Sequence, residues 1–363
     1  MATDTAHAVL TVDLAAIVAN WNLLQAKHPS AATGAVVKAN AYGLGATPVA
    51  AALAAAGCRH FFVATPDEAL ALRSTVPAAA LVVLGGLFAG AEPDFAAHGI
   101  IPALGSLPEI ATWSALAHRL GRRLAAFIHF DTGMSRLGLD ARELAVLAQD
   151  HDRLDGIDVA YVMSHLVSAE IPDDPLNAIQ RDRFVAGRAR LPAARGSLAN
   201  SSGMFLGDDF VFDLARPGSA LYGINPTPGQ DNPMRAVVRL TARVLTVRDI
   251  PPGATAGYGA TWTAQRPSRI ATVGVGYADG WHRSHSNAGG AYFDGNPVPL
   301  VGRVSMDLTT FDVTDLPEVQ PGRWLDLLGP HRLVDDAARD AGTIGYEVLT
   351  ALGPRYQRVY SPA

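Results

Sequence analysis

Short apolar runs rich in β-branched residues alternate with stretches of helical periodicity between about residues 35 and 225. Near-continuous hydrophobic runs separated by helix patterns are typical of parallel strands that are covered on both faces. Eight such runs predict a (β/α)8 barrel, that is, a TIM-like barrel in the α/β class. The runs are AVVKAN, HFFVAT, ALVVLGG, IIPAL, AAFIHF, DVAYVMSH, SLANSS and DLARPG.

Two helices among these runs carry start signals. Asp13 precedes a helix that we predict over residues 14–27. Ser106 precedes a second helix, predicted over residues 107–120, with Glu109 three positions further on. Side-chain oxygens at such positions accept hydrogen bonds from the free N–H groups of a first helical turn.

The pattern changes near residue 226, at the Pro/Gly-rich segment PTPGQDNP. Beyond it the apolar runs are shorter, alternate with polar residues and end at PPG, RPS, DGNP and PGR turns, which predicts a smaller all-β C-terminal domain. We expect a barrel domain over residues 1–233 and a β domain over 234–363. A first strand over about residues 7–13 could pack with either domain.

Composition excludes some classes of partner. The net charge is -5 and the charged residues are scattered, so no basic surface for nucleic acid or a membrane is indicated. The apolar stretch at residues 78–91 has 14 residues, fewer than the ~20 that span a bilayer. Without a signal-peptide pattern, and with Cys58 as the single cysteine, we expect a cytoplasmic protein that acts on a small soluble molecule. We identify no metal site.

Lys38 is an isolated cation at the end of the first predicted barrel strand. Burial disfavours the charged form of an amine and favours the neutral, nucleophilic form that condenses with aldehydes. The alternative is a lysine whose stem extends along the strand end to water. Catalytic groups in such barrels lie at the carboxyl ends of the strands. Other polar residues in equivalent positions are Tyr42, His129, Asp131, Arg136, His165, Asn200, Ser201 and Arg216.

A phosphate site is expected where the last two barrel loops meet. Ser201 and the backbone amides of Gly218 and Ser219 fit this expectation, and Tyr42 adds a hydroxyl. Ordinary turn chemistry is the alternative for the two serines and the glycine.

The chain resembles one family in ordered segments over nearly its whole length. VVKANAYG resembles the Schiff-base lysine segment of the pyridoxal-phosphate-dependent alanine racemases, which are fold type III amino-acid racemases. The resemblance implies pyridoxal 5'-phosphate bound to Lys38 and interconversion of L- and D-alanine by an isomerase. Further segments that carry it are VDLAAIVANW, HFDTGMSRLG, MSHL, ANSSG, LARPGSALYG, GYGATWTA, VGYADGWHR, GRVSMDLT and YEVLTALGPRYQRVY.

The resemblance also implies roles for single residues of the barrel. Arg216 would face the pyridine nitrogen of the cofactor, which a donor-only guanidinium leaves unprotonated. His165 would stack on the cofactor ring, and Arg136 would approach the substrate carboxylate. Asn200 would belong to the cofactor site. The alternatives are a structural ion pair for Arg216, a hydrogen-bonded barrel histidine for His165 and a solvated loop arginine for Arg136.

Racemisation needs a base on each face of one carbon atom. Lys38 would supply one, and Tyr258 matches the second base of the family, which comes from the β domain of a partner subunit. Tyr277, Met306 and Asp307 resemble partner residues at the substrate entrance. A homodimer is therefore implied. Taken without the resemblance, Tyr258 reads as an aromatic residue that packs in a core or at a rim.

The sequence departs from the family at several positions. His129 stands where the family commonly has a lysine, often carbamylated, and imidazole cannot carry that carbamate. Ser305 replaces a frequent cysteine. Pro354 stands where some relatives have a phosphate-binding tyrosine, for which Tyr356 could substitute. We expect these changes to affect substrate preference more than reaction type.

Three other functions compete with alanine racemisation. They are a broader amino-acid racemase, a decarboxylase with the same barrel-plus-β plan, and a pyridoxal-phosphate carrier protein. Arg216 and GYGATW disfavour the decarboxylase, and residues 234–363 disfavour the carrier. The resemblance implies D-alanine synthesis for peptidoglycan, and D-alanine breakdown is the alternative cellular role.

Overall fold

The computed structural model describes residues 5–192 and 194–362. After a first strand, β1 (Ala8–Asp13), the chain forms a curled parallel sheet whose neighbouring strands pair in sequence order from β3 to β9. The barrel strands are β2 (Ala32–Thr33), β3 (Ala35–Val36), β4 (His60–Val63), β5 (Ala80–Val83), β6 (Ile100–Leu104), β7 (Leu124–His129), β8 (Ile157–Met163), β9 (Arg195–Ser197) and β10 (Leu214–Ala215).

Backbone hydrogen bonds around β10 close this sheet into a barrel. β10 pairs in parallel with β2, and the Val36 N–H donates to the Pro217 carbonyl at 2.9 Å. On the other side of β10, the Arg216 N–H donates to the Ala199 carbonyl at 2.9 Å. The predicted (β/α)8 barrel is confirmed, although its last two strands are shorter than the apolar runs in the sequence.

Helices connect the barrel strands. Both predicted helix starts are confirmed: the Asp13 carboxylate accepts from the Ala16 N–H at 2.9 Å, and the Ser106 hydroxyl accepts from the Glu109 N–H at 3.3 Å. The helical segments are α1 (Leu14–Lys27), α2 (Lys38–Tyr42), α3 (Ala46–Ala55), α4 (Pro66–Arg73), α5 (Glu92–His98), α6 (Leu107–Leu120), α7 (Ala141–Gln149) and α8 (Pro175–Arg188).

The C-terminal part of the chain folds as β-sheet with two short helices that the sequence did not predict. Val334, Ala337, Ala338 and Ala341 are buried at helical spacing, which explains the first of these helices. The strands are β11 (Val238–Ile250), β12 (Thr255–Ala256), β13 (Trp262–Thr263), β14 (Ser268–Val273), β15 (Gly290–Phe293), β16 (Asn296–Pro299), β17 (Thr309–Asp312), β18 (Trp324–Leu328) and β19 (Gln357–Ser361), and the helices are α9 (Val334–Ala341) and α10 (Gly345–Ala351).

The first strand of the chain pairs within this C-terminal sheet. β1 is antiparallel to β11 and parallel to β19. The chain therefore passes from the second sheet into the barrel at Asp13, which ends β1 and caps α1.

The carboxyl ends of the barrel strands open into a cavity of about 1630 Å³. Residues of α9 and α10 form part of its wall, so the C-terminal sheet unit contributes to the same cavity as the barrel. Within the two described ranges, no helix combines the length and apolar character that a membrane crossing requires.

Candidate active site

The cavity brings together the barrel residues that the sequence singled out. Each of them lies at or after the carboxyl end of a barrel strand, as the architecture requires. Those that line the cavity are Lys38, Tyr42, His129, Arg136, His165, Asn200, Ser201, Arg216, Gly218 and Ser219.

Lys38 is followed by a turn of left-handed backbone. The four residues from Ala39 to Tyr42 have φ between 52° and 55°, although none of them is glycine. This conformation costs each L-residue roughly 1–2 kcal/mol, so contacts from the surroundings must hold it. One is the Asn40 side chain, whose Oδ1 accepts from the Ala46 N–H at 2.8 Å. The turn places both Lys38 and Tyr42 on the cavity wall.

The Lys38 side chain is half-buried. Burial lowers the pKa of its amine, and the nearby Arg136 guanidinium lowers it further, whereas the Glu68 carboxylate opposes this change. The amine is therefore closer to its neutral, nucleophilic form than a lysine in water.

Arg216 is a buried arginine, only 3% exposed as a residue. It donates to the Ser197 hydroxyl at 2.6 Å and to the Ser164 carbonyl at 2.6 Å. Burial lowers the pKa of Arg216 to about 10, so the group stays charged at neutral pH. Its partners are a hydroxyl, a carbonyl and the His165 ring, and none of them is a carboxylate. None of these partners therefore neutralises the positive charge that Arg216 presents to the cavity.

His165 lies against this guanidinium. Burial lowers the pKa of His165 to about 3, and the positive charges of Arg216, Arg136 and Lys38 act in the same direction. The ring is therefore neutral at physiological pH. Arg216 can only donate, so Nδ1 of His165 accepts and Nε2 carries the proton.

His129 is buried at the end of β7. Burial lowers its pKa to about 4, Arg216 and Arg136 lower it further, and Asp131 opposes them. A neutral imidazole thus stands beside two guanidinium groups.

The Asp131 carboxylate builds the loop after β7. It accepts from the backbone N–H groups of Gly133, Met134 and Ser135 at 2.8 to 3.1 Å. Burial would raise the pKa of Asp131, but these three hydrogen bonds outweigh that effect and lower it. The same loop presents an exposed Arg136 at the cavity.

Hydroxyl and backbone N–H groups gather where the last two barrel loops meet. The Ser201 hydroxyl accepts from the N–H of Gly218 at 3.0 Å and from that of Ala220 at 3.2 Å. A Cβ atom on Gly218 would lie 2.3 Å from the Tyr42 hydroxyl, so only glycine fits here. Neighbouring Asn200 accepts from the Gly203 N–H at 2.9 Å through its side-chain oxygen.

Tyr346 is a site residue that the sequence interpretation missed. Its hydroxyl donates to the Ser219 hydroxyl at 2.9 Å, and its ring lies 6.0 Å from that of Tyr42. The cavity lining includes Tyr346 but neither Pro354 nor Tyr356, so the suggestion that Tyr356 fills this role is corrected. The signal was present in YEVLT, the segment that begins with Tyr346.

Tyr258, Tyr277, Met306 and Asp307 lie outside the cavity of their own chain. Tyr258 is 72% exposed and Met306 is 54% exposed, although aromatic and apolar side chains usually pack in a core. The Tyr277 N–H donates to the Ser305 carbonyl at 3.0 Å, and the Asp307 carboxylate accepts from Arg355 at 2.8 Å. None of these four residues therefore belongs to the Lys38 cavity of the described chain.

The cavity fits a flat phosphorylated cofactor that carries an aldehyde. Lys38 offers an amine of lowered pKa, Arg216 offers a fixed cation, and Ser201, Ser219 and Tyr346 offer hydroxyl groups for a phosphate. Fold and site thus define a class, the barrel enzymes that attach such a cofactor to a strand-end lysine.

Comparison with known proteins identifies the family. The family model described as the alanine racemase N-terminal domain matches residues 12–226, and the model of the alanine racemase C-terminal domain matches residues 237–360. The chain belongs to the alanine racemase family.

Similar proteins cover nearly the whole chain. An alanine racemase of Acidiphilium cryptum is 55% identical over 353 residues, which cover 97% of this chain and 98% of that protein. One of Rhodospirillum rubrum is 52% identical, covering 98% and 96%. The crystal structure of alanine racemase from Bartonella henselae with covalently bound pyridoxal phosphate is 44% identical. It superposes with a TM-score of 0.95 and covers 98% of this chain and 100% of that one.

Proposed function

We propose that the protein is a pyridoxal-phosphate-dependent isomerase that interconverts L-alanine and D-alanine. The observation that carries the proposal is the position of the Lys38 amine and the Arg216 guanidinium, which face one cavity in a chain of this family. The hydrogen bonds of Arg216 to neutral groups fit the same chemistry.

Residues on opposite sides of the cavity would hold the cofactor. Lys38 forms the covalent attachment, and Ser201, Ser219 and Tyr346 bind the phosphate with Tyr42 beside them. When bound, the cofactor withdraws electrons from the substrate Cα and makes its proton acidic. Arg216 cannot accept a proton from the ring nitrogen, so it limits this withdrawal and favours return of the proton over transamination.

His165 would stack on the cofactor ring. Because its pKa is about 3, the imidazole is neutral and adds no further positive charge to the site. Arg136 lies at the open side of the cavity and would bind the substrate carboxylate. Asn200 completes the loop beside Ser201 through its bond to the Gly203 N–H.

Two bases on opposite faces of Cα are needed, and Lys38 is the only one of the pair that lines the cavity of the described chain. The exposed Tyr258 of a second copy would be the other base. The same copy would bring Tyr277, Asp307 and the backbone N–H of Met306 to the substrate entrance. The exposure of these side chains supports a homodimer in which each site combines two chains.

We further assign residues 1–233 to the cofactor-binding barrel and 234–363 to the unit that reaches the partner. β1 is part of the second sheet by its strand pairing. A cytoplasmic location and D-alanine supply for peptidoglycan stay predictions from the sequence.

Mixing two inactive variants tests the shared site. Lys38→Ala and Tyr258→Ala should each lose racemisation by several orders of magnitude. After subunit exchange of equal amounts, half of the dimers are mixed and each mixed dimer has one intact site, so about a quarter of wild-type activity should return. Differently tagged chains report whether exchange occurred. Verified exchange without recovered activity would refute the shared site.

Three experiments on wild-type protein test the reaction itself. Borohydride reduction followed by peptide mapping should place the pyridoxyl group on Lys38, and a label on another lysine would contradict the assignment. Assays of D-alanine formation and CO₂ release on one sample separate a racemase from a decarboxylase and from a carrier. A panel of L-amino acids tests broader specificity, for which His129 and Ser305 are the motivating departures.

A further inference from the structure

Glu68 joins two strand ends beside the cavity. It lies in the first turn of α4, and its Oε2 accepts from the N–H of Ala64, the residue that follows β4, at 2.8 Å. Its Oε1 accepts from the N–H of Ala39 at 2.5 Å. One half-buried carboxylate therefore ties the end of β4 to the residue directly after Lys38.

Ala39 is the first residue of the left-handed turn. Because L-residues rarely adopt this backbone, its direction depends on contacts from outside the turn. The turn directly follows Lys38 and ends at Tyr42, whose hydroxyl lies against Gly218. A contact that fixes Ala39 thus acts on the separation between the lysine and the phosphate end of the site.

Glu68 also contributes charge. Two charged groups act on the Lys38 amine: Arg136, from the loop after β7, and Glu68, from α4. The charge of Lys38 acts in turn on His165, which follows β8 and is neutral. Arg136 and burial favour the neutral amine, and the Glu68 carboxylate favours the protonated one. Glu68 is the anion of this group.

We propose that Glu68 is a positioning residue, whose carboxylate holds the left-handed turn in place and so sets the position and the protonation of the Lys38 amine. Its role in turnover rests on the racemase function proposed above. The effect on the amine does not, because it is measurable in protein without cofactor.

The barrel contains a matched control. Glu109 lies in the first turn of α6, and its carboxylate accepts from the N–H of Gly105 at 2.6 Å and of Leu87 at 3.0 Å. It makes the same type of bridge between strand ends but does not act on Lys38. Glu109→Gln therefore reproduces the structural cost of Glu68→Gln without its effect on the amine.

Trace acetylation of cofactor-free protein, followed by peptide mass spectrometry, measures the reactivity of Lys38. At pH 8, Lys38 of Glu68→Gln should label about three to ten times faster than in wild type, because loss of the anion leaves more of the amine neutral. Glu109→Gln should label like wild type. Equal labelling in wild type and Glu68→Gln, or the same increase in both variants, would overturn the proposal.

Reconstituted enzyme gives the second readout. Glu68→Gln should lower kcat about tenfold with KM changed less than twofold, because a misplaced amine affects proton transfer more than substrate binding. The pH midpoint of its cofactor absorption band should also move from the wild-type value, whereas that of Glu109→Gln should not. Unchanged kcat and midpoint in Glu68→Gln would contradict the positioning role.

Glu68→Asp keeps the negative charge on a shorter side chain. It replaces Glu68→Gln as the test variant if Glu68→Gln does not fold. It should restore wild-type labelling at pH 8 but retain the defect in kcat. Wild-type kcat in this variant would show that the bridge is not needed. Absence of racemase activity in wild type would refute the proposed function while leaving the labelling result interpretable.

Discussion

Nη2 of Arg216 lies 3.4 Å from Nδ1 of His165, so a permanent cation faces an imidazole ring that must accept. The pKa of His165, lowered to about 3 by burial and by this cation, keeps the ring neutral at any pH at which the enzyme is assayed. The pair supplies one positive charge rather than two at the cavity wall.

Replacing Arg216 by glutamate tests what this charge does. A carboxylate next to the pyridine nitrogen would keep the nitrogen protonated and strengthen electron withdrawal by the ring. Arg216→Glu should lower racemisation by about a hundredfold or more and produce pyruvate from alanine, measured by coupled assay. Arg216→Lys, which retains the charge but not the two-pronged donor, should form no pyruvate. Pyruvate from both variants, or from neither, would contradict the argument.

Tyr346→Phe removes the hydroxyl that donates to Ser219. Since a hydrogen bond near a charged phosphate contributes about 1–2 kcal/mol, the cofactor Kd should rise roughly five- to thirtyfold, measured by fluorescence titration of cofactor-free protein. Tyr356→Phe is the control, because the buried Tyr356 hydroxyl has no hydrogen-bond partner among the described residues. The cofactor Kd of Tyr356→Phe should stay at the wild-type value. If Tyr356→Phe raised the Kd and Tyr346→Phe did not, Tyr356 would be the tyrosine that binds the phosphate.

His129 should make the enzyme independent of bicarbonate. The imidazole has a pKa of about 4 and is neutral at pH 7, so wild-type activity should not change when CO₂ and bicarbonate are removed. His129→Lys should gain activity as bicarbonate is added, because a lysine there can take up carbamate beside Arg136. Bicarbonate dependence of wild type would show that another group carries the anion. Below pH 5, protonation of His129 should raise KM for alanine by repulsion of Arg136.

His285 should make the stability of the protein depend on pH. It is fully buried and stacks on Trp281 with ring centroids 4.2 Å apart, and neither ring nitrogen has a hydrogen-bond partner within the described part of the chain. Burial, with help from Arg332, lowers its pKa to about 4.

Because the unfolded chain binds a proton at His285 near pH 6.5 and the folded chain only near pH 4, the stabilisation is complete above pH 6.5. It is lost as the pH falls towards 4. His285→Phe should flatten the fall in unfolding free energy between pH 6.5 and 5 by up to about 1.4 kcal/mol per pH unit, measured by urea denaturation. Above pH 7, the unfolding free energies of wild type and His285→Phe should change with pH in the same way. Identical slopes below pH 6 would exclude His285 as the source.

Much of the barrel could be predicted because its strands are covered on both faces and read as apolar runs. The strand-end placement of Lys38 and Arg216 then follows from the architecture alone. The lengths of β9 and β10 could not be predicted, since the runs SLANSS and DLARPG leave the sheet to form the loops that contain Ser201 and Gly218. Tertiary demand for backbone N–H groups at Ser201 overrides the strand pattern there.

Contacts between segments that are distant in the sequence could not be predicted either. No local pattern relates Tyr346 to Ser219, which are separated by 127 positions, and none brings Glu68 to the residue after Lys38. The left-handed turn was equally hidden, because Ala39–Tyr42 contains no glycine to indicate positive φ. The domain to which the first strand belongs could not be predicted for the same reason, because a hydrophobic pattern alone does not determine which strands pair.

The pairing of β1 between β11 and β19 has a consequence for biosynthesis. β1 leaves the ribosome long before β19, so one edge of β1 has no partner until residues 357–361 have been translated. The barrel can assemble before β19 is made, while the apolar strand β1 still has one unpaired edge. A nascent chain stopped before residue 357 should therefore expose Leu10 and Val12 to chaperones, whereas a chain that includes β19 should bury them.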